Sequence, residues 1–403
     1  MKNKYKIILS ASFGVFACAF TSTAQAEEIS IKPIFDARLR LETVDQPLTD
    51  ADALTIRMRT GVDLSHKSGL SFLAEGEATL GIINDYNSTT NGNIARSVIA
   101  DPQNIELNRL QLQYMAKGKG KIVVGRQRIN IDDQRFVGNV GWRQNEQTFD
   151  AVTVSIDAIK PLTLDATYAT SQRTIFGVDA GVREHFDGDF IFLGAAAKLG
   201  PLNIKAFSYL IDYDLGQPVS LSSTQSYGAR ATMKLPLAKG LDINFAASYA
   251  QQSNYKANPG NYSVDYIAAE GAASYAGFGL TLGYEKLGAD GLGARFQTPF
   301  ATLHKFNGYA DLFLSTPTNG LQDYYVMFSK KLAGIKFLPG LNIAATYHKF
   351  DSDKLNISYG DEIDAILGFK VSKFSIGLKY ADYNAKGFGV DTQKFIFDVG
   401  YAF

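Results

Sequence analysis

Apolar and polar residues alternate with a period of two along most of this chain. Phe35, Ala37, Leu39 and Leu41 share one face of an extended segment, and Asp36, Arg38, Arg40 and Glu42 share the other. The next segment sets Leu54, Ile56 and Met58 against Arg57 and Arg59. Phe72, Ala74, Ala78 and Leu80 oppose Glu75 and Glu77, and Val152, Val154, Ile156 and Ala158 oppose Thr153, Ser155 and Asp157. Such alternation is weak in one segment and strong when repeated, and it is the mark of strands with one apolar and one wet face. It predicts strands at 30–44, 54–65, 70–83, 104–116, 120–129, 147–160, 161–172, 188–200, 201–215, 222–237, 240–254, 262–276, 278–288, 321–333, 340–351, 360–371, 373–384 and 391–403. That makes about 18, with boundaries good to a few residues. A further alternating stretch at 305–315 would make the count odd and put the termini on opposite sides of a membrane. It lies between a glycine-rich segment and Thr316-Pro317-Thr318-Asn319-Gly320, so it is assigned to a loop.

The connections fall into two classes. His66-Lys67-Ser68-Gly69, Lys117-Gly118-Lys119-Gly120, Ile159-Lys160-Pro161, Lys198-Leu199-Gly200-Pro201 and Ala276-Gly277 are short. The stretches 84–103, 130–146, 173–187 and 289–320 are long and polar. Short turns on one side and long loops on the other are the asymmetry of a transmembrane antiparallel β-barrel, all-β, with periplasmic turns and extracellular loops. The last strand fits a lipid-facing wall. Phe395, Phe397, Val399, Tyr401 and Phe403 fall on one face, and Ile396, Asp398, Gly400 and Ala402 on the other. At the other end, Lys2, Lys4 and Lys6 precede an apolar run from Ile7 to Phe20 and the small-x-small site Ala24-Gln25-Ala26. This predicts a cleaved signal peptide over 1–26 and a single barrel domain over 27–403. The sole cysteine, Cys18, would leave with it.

Composition adds three constraints. No apolar run beyond the leader is long enough for a membrane helix. The 27 Phe and 21 Tyr suit aromatic girdles at both membrane interfaces. Charges balance at 40 basic and 40 acidic, so no basic surplus points to nucleic acid and any ionic selectivity must come from placement.

A barrel of about 18 strands is wide enough for an aqueous channel. Its densest cationic cluster comes early: Arg38, Arg40, Arg57, Arg59, Arg109, Arg126 and Arg128 lie on the first, second, fourth and fifth strands. Alternation turns most of them to the lumen, with Val123 and Gly125 toward lipid. Leu107 shares the parity of Arg109 yet is apolar, which signals a slip or bulge there. Glu42, Glu75 and Glu77 are nearby counter-charges. Two readings stand side by side: an ion-pair network that stiffens the wall, and a track that grips carboxylates or phosphates through the planar guanidinium fork. The region from Gly125 to Asn145 holds Arg126, Arg128, Arg135, Arg143, Asp132, Asp133 and the only tryptophan, Trp142. Mixed with Ile129, Phe136 and Val137, this charge predicts a loop folded against the barrel or into its mouth. The same holds for Phe300 to Thr316, whose apolar residues are too many to hang in water, with Tyr309 and Asp311 set near the solute path.

Gly125-Arg126-Gln127-Arg128, Asp132-Asp133-Gln134-Arg135-Phe136-Val137-Gly138 and Trp142-Arg143-Gln144 resemble the alginate-export family of outer-membrane channels. So do Glu106-Leu107-Asn108-Arg109-Leu110 and the run from Phe306-Asn307-Gly308-Tyr309-Ala310-Asp311 to Asp323. The resemblance implies an 18-stranded barrel with an arginine-rich lumen and an anionic polysaccharide as type substrate. The expected function is a passive porin of the bacterial outer membrane favouring anionic solutes or polysaccharide, with no cofactor. Alternatives are an uptake porin for small organic acids or other small molecules, and a lipid hydrolase or structural barrel. Expected partners are outer-membrane lipid and lipopolysaccharide, the small anionic solute or polysaccharide, and the barrel-assembly machinery through the Phe403 strand. The four scattered histidines, His66, His185, His304 and His348, make a zinc site a poor reading. Asp351, Asp353, Asp361 and Glu362 form an acidic stretch at an outer loop, either solvated or a Ca²⁺ site.

Overall fold

The computed structural model describes residues 28–157, 160–335 and 337–403. The expected leader, Cys18, Ala158 and Ile159 lie outside them. Eighteen strands form: β1 Ile29–Asp45, β2 Asp50–His66, β3 Leu70–Asp85, β4 Asn104–Ala116, β5 Gly120–Gln127, β6 Thr148–Ile156, β7 Leu162–Arg173, β8 His185–Leu199, β9 Leu202–Tyr213, β10 Thr224–Ala238, β11 Leu241–Asn254, β12 Ser263–Tyr275, β13 Phe278–Leu287, β14 Leu321–Leu332, β15 Leu341–Asp351, β16 Ser358–Val371, β17 Phe374–Ala385 and β18 Thr392–Ala402. Each pairs antiparallel with its sequence neighbours. β18 closes on β1, with Arg40 opposite Asp398 and Leu39 opposite Val399. Closure leaves no unpaired strand edge, which a bilayer requires because lipid cannot satisfy backbone N–H and C=O groups.

Alternation sets the faces. Leu39, Met58, Phe72, Leu80, Leu112 and Val152 are exposed on the outside, whereas Arg40, Glu42, Arg57, Arg59, Glu75 and Glu77 are buried within. Exposed Tyr114, Tyr275, Phe278 and Phe374 mark the turn end of the wall, and Tyr168, Tyr227, Tyr324 and Tyr347 the loop end. These are the two girdles a membrane barrel carries. The turns are tight where backbones meet. Gly69 has φ +94°, and a Cβ there would sit 2.2 Å from the Met115 carbonyl oxygen. The 305–315 stretch is loop, containing part of a short 3-10 turn at Leu303–Lys305.

Two details of phase matter for the lumen. The suspected slip at Leu107 is a β-bulge: Glu75 pairs with Arg109 and Gly76 with Leu107, so Asn108 is extra. Leu107 and Leu110 both face outward, and Asn108 and Arg109 turn inward. On β5 the expected parity is wrong by one residue. Val123 is 4% exposed and faces the lumen, while Ile122 at 38% and Val124 at 45% face out. Arg126 therefore points outward. The error arose because β5 is uniformly apolar from Ile122 to Val124, which gives alternation nothing to read.

Candidate pore constriction

Two long loops fold into the barrel and cross it. Loop 128–147 leaves β5 and reaches the far wall. The Phe136 ring packs at 5.1 Å from Phe207, 5.5 Å from Tyr209 and 5.3 Å from Tyr266. The buried Arg135 guanidinium donates to Glu285 of β13 at 2.7 Å, Thr298 at 3.1 Å and Asn307 at 3.2 Å. Asp132 accepts from Lys205 of β9 at 3.0 Å, and Asp133 pairs with Arg230 of β10 at 2.8 Å. The loop then returns: Arg143 donates to Glu42 of β1 at 2.9 Å, and Gln144 to the Thr55 hydroxyl of β2 at 2.8 Å.

Loop 288–320 runs beside it. The buried Phe300 ring sits among Phe149 at 5.5 Å, Phe190 at 5.0 Å and Phe192 at 6.1 Å, inside β6 and β8. The Gly138 N–H donates to the Phe300 carbonyl at 2.8 Å and ties the loops together. At the opposite wall the Tyr309 and Ala310 N–H groups donate to Asp364, at 3.2 Å, and to Glu362, at 2.7 Å, both on β16. Phe313 packs 4.5 Å from Phe350 and 5.3 Å from Phe388. Burying each such ring is worth roughly 1.5–3 kcal/mol, so neither loop is loosely held. Gly308 permits the approach: its φ is +86°, and a Cβ would lie 2.3 Å from a Glu362 carboxylate oxygen.

The loops meet in a stack of rings. Trp142 lies 3.4 Å from His304 at 12°, and His304 lies 5.0 Å from Tyr309. His304 Nδ1 is 2.8 Å from Asp311, and its Nε2 is 2.8 Å from Lys379 of β17. Asp311 also accepts from Lys394 of β18 at 2.8 Å and lies 3.4 Å from Arg143. Burial pushes the His304 imidazole down to about 3, with Lys379 adding to the effect and Asp311 opposing it. Burial alone would raise the Asp311 carboxyl, but Lys394, His304 and Arg143 hold it well below the usual carboxylate range.

Most of the arginine stripe is paired with carboxylates. Arg40 pairs with Asp398 at 2.8 Å and Asp101 at 3.5 Å. Arg57 pairs with Asp36, and Arg59 with Glu77 and, at 3.6 Å, Glu146. Arg109 holds Glu75 at 2.6 Å, and Arg128 holds Glu146 and, at 3.1 Å, Glu75. Arg38 donates to the Gln144 side chain at 3.0 Å and to the carbonyls of Gly141 and Arg143. Arg126 is the exception to the lumenal reading, since it pairs on the outside with Asp150 of β6 at 2.8 Å. Glu42 lies against Arg143, Glu75 against Arg109 and Arg128, and Glu77 against Arg59. The acidic stretch at the outer loop does not converge: Glu362 is buried inside, whereas Asp361 bonds Lys386 at 2.7 Å on the exposed side. Reasoning from the sequence missed Asp101, Glu146, Lys379, Lys394 and the acids opposite, Glu285, Asp323 and Asp364. Strand parity carried the signal for Lys379, Lys394 and Asp364. Nothing in the local sequence carried it for Asp101 and Glu146, which lie in loops.

The crossing loops divide the lumen. An outer vestibule of about 530 Å³ has Val98, Ile175, Phe176 and Leu312 on its sides and Trp142 and Lys394 in its lining. Below lie a hollow of about 640 Å³ lined by Gln111, Gln113, Thr153, Ser155 and Lys205, and one of about 310 Å³ lined by Glu270, Asp323, Asp364, Tyr325 and Arg230.

Residues 41–252, just over half of the chain, match the family model for alginate export. The fold is similar to that of solved Pseudomonas aeruginosa and Acinetobacter baumannii barrels. OpdK, solved with vanillate, is 14% identical over 92% of this chain and 98% of its own, with a TM-score of 0.72. OpdL is 17% identical over 93% and 99%, with a TM-score of 0.68. OccAB3 of Acinetobacter is 14% identical over 93% and 100%, with a TM-score of 0.70. No curated protein matches the chain in sequence.

Proposed function

We propose, from the premise that this chain belongs to the alginate-export family, that it is an outer-membrane uptake channel for small organic acids and not a conduit for polysaccharide. The closed 18-stranded sheet and its apolar exterior make the chain a porin-type barrel of the bacterial outer membrane, with lipid and lipopolysaccharide around it. The finer reading rests on one observation: both crossing loops are anchored at both walls, which leaves compartments of a few hundred Å³. Such compartments suit one small molecule at a time, whereas a polymer needs a continuous bore along which successive residues are held alike. OpdK, a neighbour in fold, was solved with vanillate, a small aromatic carboxylate, and a solute of that size fits these compartments. His304 has Asp311 at Nδ1 and Lys379 at Nε2, and His348 of β15 has Asp323 and Asp364 at its two nitrogens, so neither ring offers a nitrogen to a serine nucleophile, which supports a passive channel over a hydrolase.

Swelling of proteoliposomes tests the reading. Benzoate and similar monocarboxylates are expected to enter at rates well above those of oligouronates of four or more units. Equal rates for the two classes would overturn the small-solute assignment. The absence of any permeability would overturn the channel.

A further inference from the structure

The arginine stripe leaves open which group an entering anion meets. Arg40, Arg57, Arg59, Arg109, Arg128 and Arg143 each have a carboxylate partner, and Lys394 has Asp311. A guanidinium so paired shows a passing ion a dipole, not a charge. Among the described residues, Lys379, Arg38 and Lys305 are cations of the constriction with no carboxylate within ion-pair distance, and the Lys305 ammonium donates to the Asp133 carbonyl at 2.9 Å, beside the smaller hollow below. The donors of Arg38 are directed to Gln144 and to two carbonyls of loop 128–147. The Lys379 ammonium makes one hydrogen bond, to His304 Nε2 at 2.8 Å. His304 Nδ1 faces the Asp311 carboxylate at 2.8 Å, so the proton of the neutral imidazole sits on Nδ1 and Nε2 accepts. The imidazole therefore holds Lys379 without cancelling its charge. The ring faces of Tyr309, at 4.7 Å, and Trp142, at 5.4 Å, flank the ammonium. Lys379 is partly exposed on the inner face of β17, where Ala381 and Tyr383 of the same parity are buried.

We propose that Lys379, and not the arginine stripe, is the specificity-determining residue of the constriction, and that it takes the carboxylate of a small organic acid. The inference rests on the channel reading above. The remaining ammonium donors offset the hydration a carboxylate loses on entering. The Tyr309 ring beside the ammonium is placed to meet the apolar body of the acid. A single lysine binds a carboxylate weakly enough for release, which conduction demands.

Reversal potentials of the purified barrel in planar bilayers, under gradients of potassium chloride and potassium acetate, test this. Lys379→Gln keeps a donor for His304 Nε2 and removes the charge. It is expected to lower the anion-to-cation permeability ratio at least about threefold at low salt, with a smaller change at high salt. Lys379→Arg should restore the ratio. The paired variant Arg57→Gln with Asp36→Asn, which removes a charge pair without changing net charge, should keep the wild-type ratio. An unchanged ratio in Lys379→Gln, or a comparable fall in the Arg57/Asp36 variant, overturns the assignment. A wild-type barrel that carries no current overturns the channel reading and this inference with it, an outcome distinct from conduction that ignores Lys379.

Discussion

At the scale of single residues, the interior is governed by the cost of burying charge. Removing one partner of a buried pair costs roughly 3–5 kcal/mol, because the other charge is left unpaired in a medium that cannot hydrate it. Arg135 with Glu285 and Arg143 with Glu42 are such pairs, and they fasten the crossing loop at opposite walls. His304 is the complementary case, a base kept neutral by its surroundings. Its folded value of about 3 lies below its ordinary 6.5, so the released form binds the proton and the stack is fully stable only above about pH 6.5. As pH falls from there toward 3, the latch loses about 1.4 kcal/mol per unit, on the order of 2 kcal/mol by pH 5. Asp311, depressed in turn, contributes above the ordinary carboxylate range near 4 and loses that contribution only at lower pH. The two effects therefore act in the same direction, with the histidine first. Trp142, the only tryptophan, reports on this directly. Its quenching by iodide should be the same at pH 8 and pH 7 and should increase between pH 6 and 4 as the stack opens. Constant quenching over that range would mean that the Trp142–His304 stack does not respond to the proton.

At the scale of elements, the sequence is most legible where the two faces of a strand differ. Every strand from β1 to β18 has a counterpart in the alternation, because lipid outside and water inside impose opposite demands on successive residues. The bulge at Asn108 was readable for the same reason, since Leu107 broke the phase. β5 was misread where Ile122, Val123 and Val124 present no contrast, and with it Arg126. The wall therefore predicts itself, whereas the constriction does not. Arg135 and Phe136 announced that loop 128–147 would fold inward, yet their partners Glu285, Phe207 and Tyr266 lie far along the chain and only the closed barrel brings them near. Loop 288–320 yields the element-scale prediction. Replacing Phe300 to Ser315 by a short Gly/Ser linker removes the Phe300 anchor, the Asn307 bridge and the Tyr309 and Ala310 donors together. The backbone ladder of the wall does not depend on them, so the barrel should remain folded, with larger single-channel conductance and weaker solute discrimination. Wild-type conductance and selectivity in the folded deletion variant would show that this loop does not narrow the pore.

At the scale of the whole molecule, the decisive feature is closure, and the seam between β1 and β18 carries it. The seam is held on the inside by Arg40 and Asp398. On the outside Phe35 lies 5.5 Å from Phe403 and 6.1 Å from Tyr401. Phe403 itself is 63% exposed on a face that meets lipid, so its packing within the folded chain is worth only about 0.5–1.5 kcal/mol. The expected further use of Phe403 comes before the sheet closes, as a feature of β18 that the assembly machinery can grip. Two measurements separate that use from simple packing. Deleting Phe403 should reduce the amount of heat-modifiable barrel in the outer membrane of cells severalfold. The same deletion should leave urea-denatured protein able to refold into detergent or short-chain lipid, with a loss of stability no greater than the packing allows. If refolding in vitro fails as badly as assembly in cells, Phe403 acts through the seam alone and recognition by the machinery is not needed. If both proceed as in the full-length chain, the terminal residue has neither role, and closure is carried by the Arg40–Asp398 pair and the backbone ladder between β1 and β18.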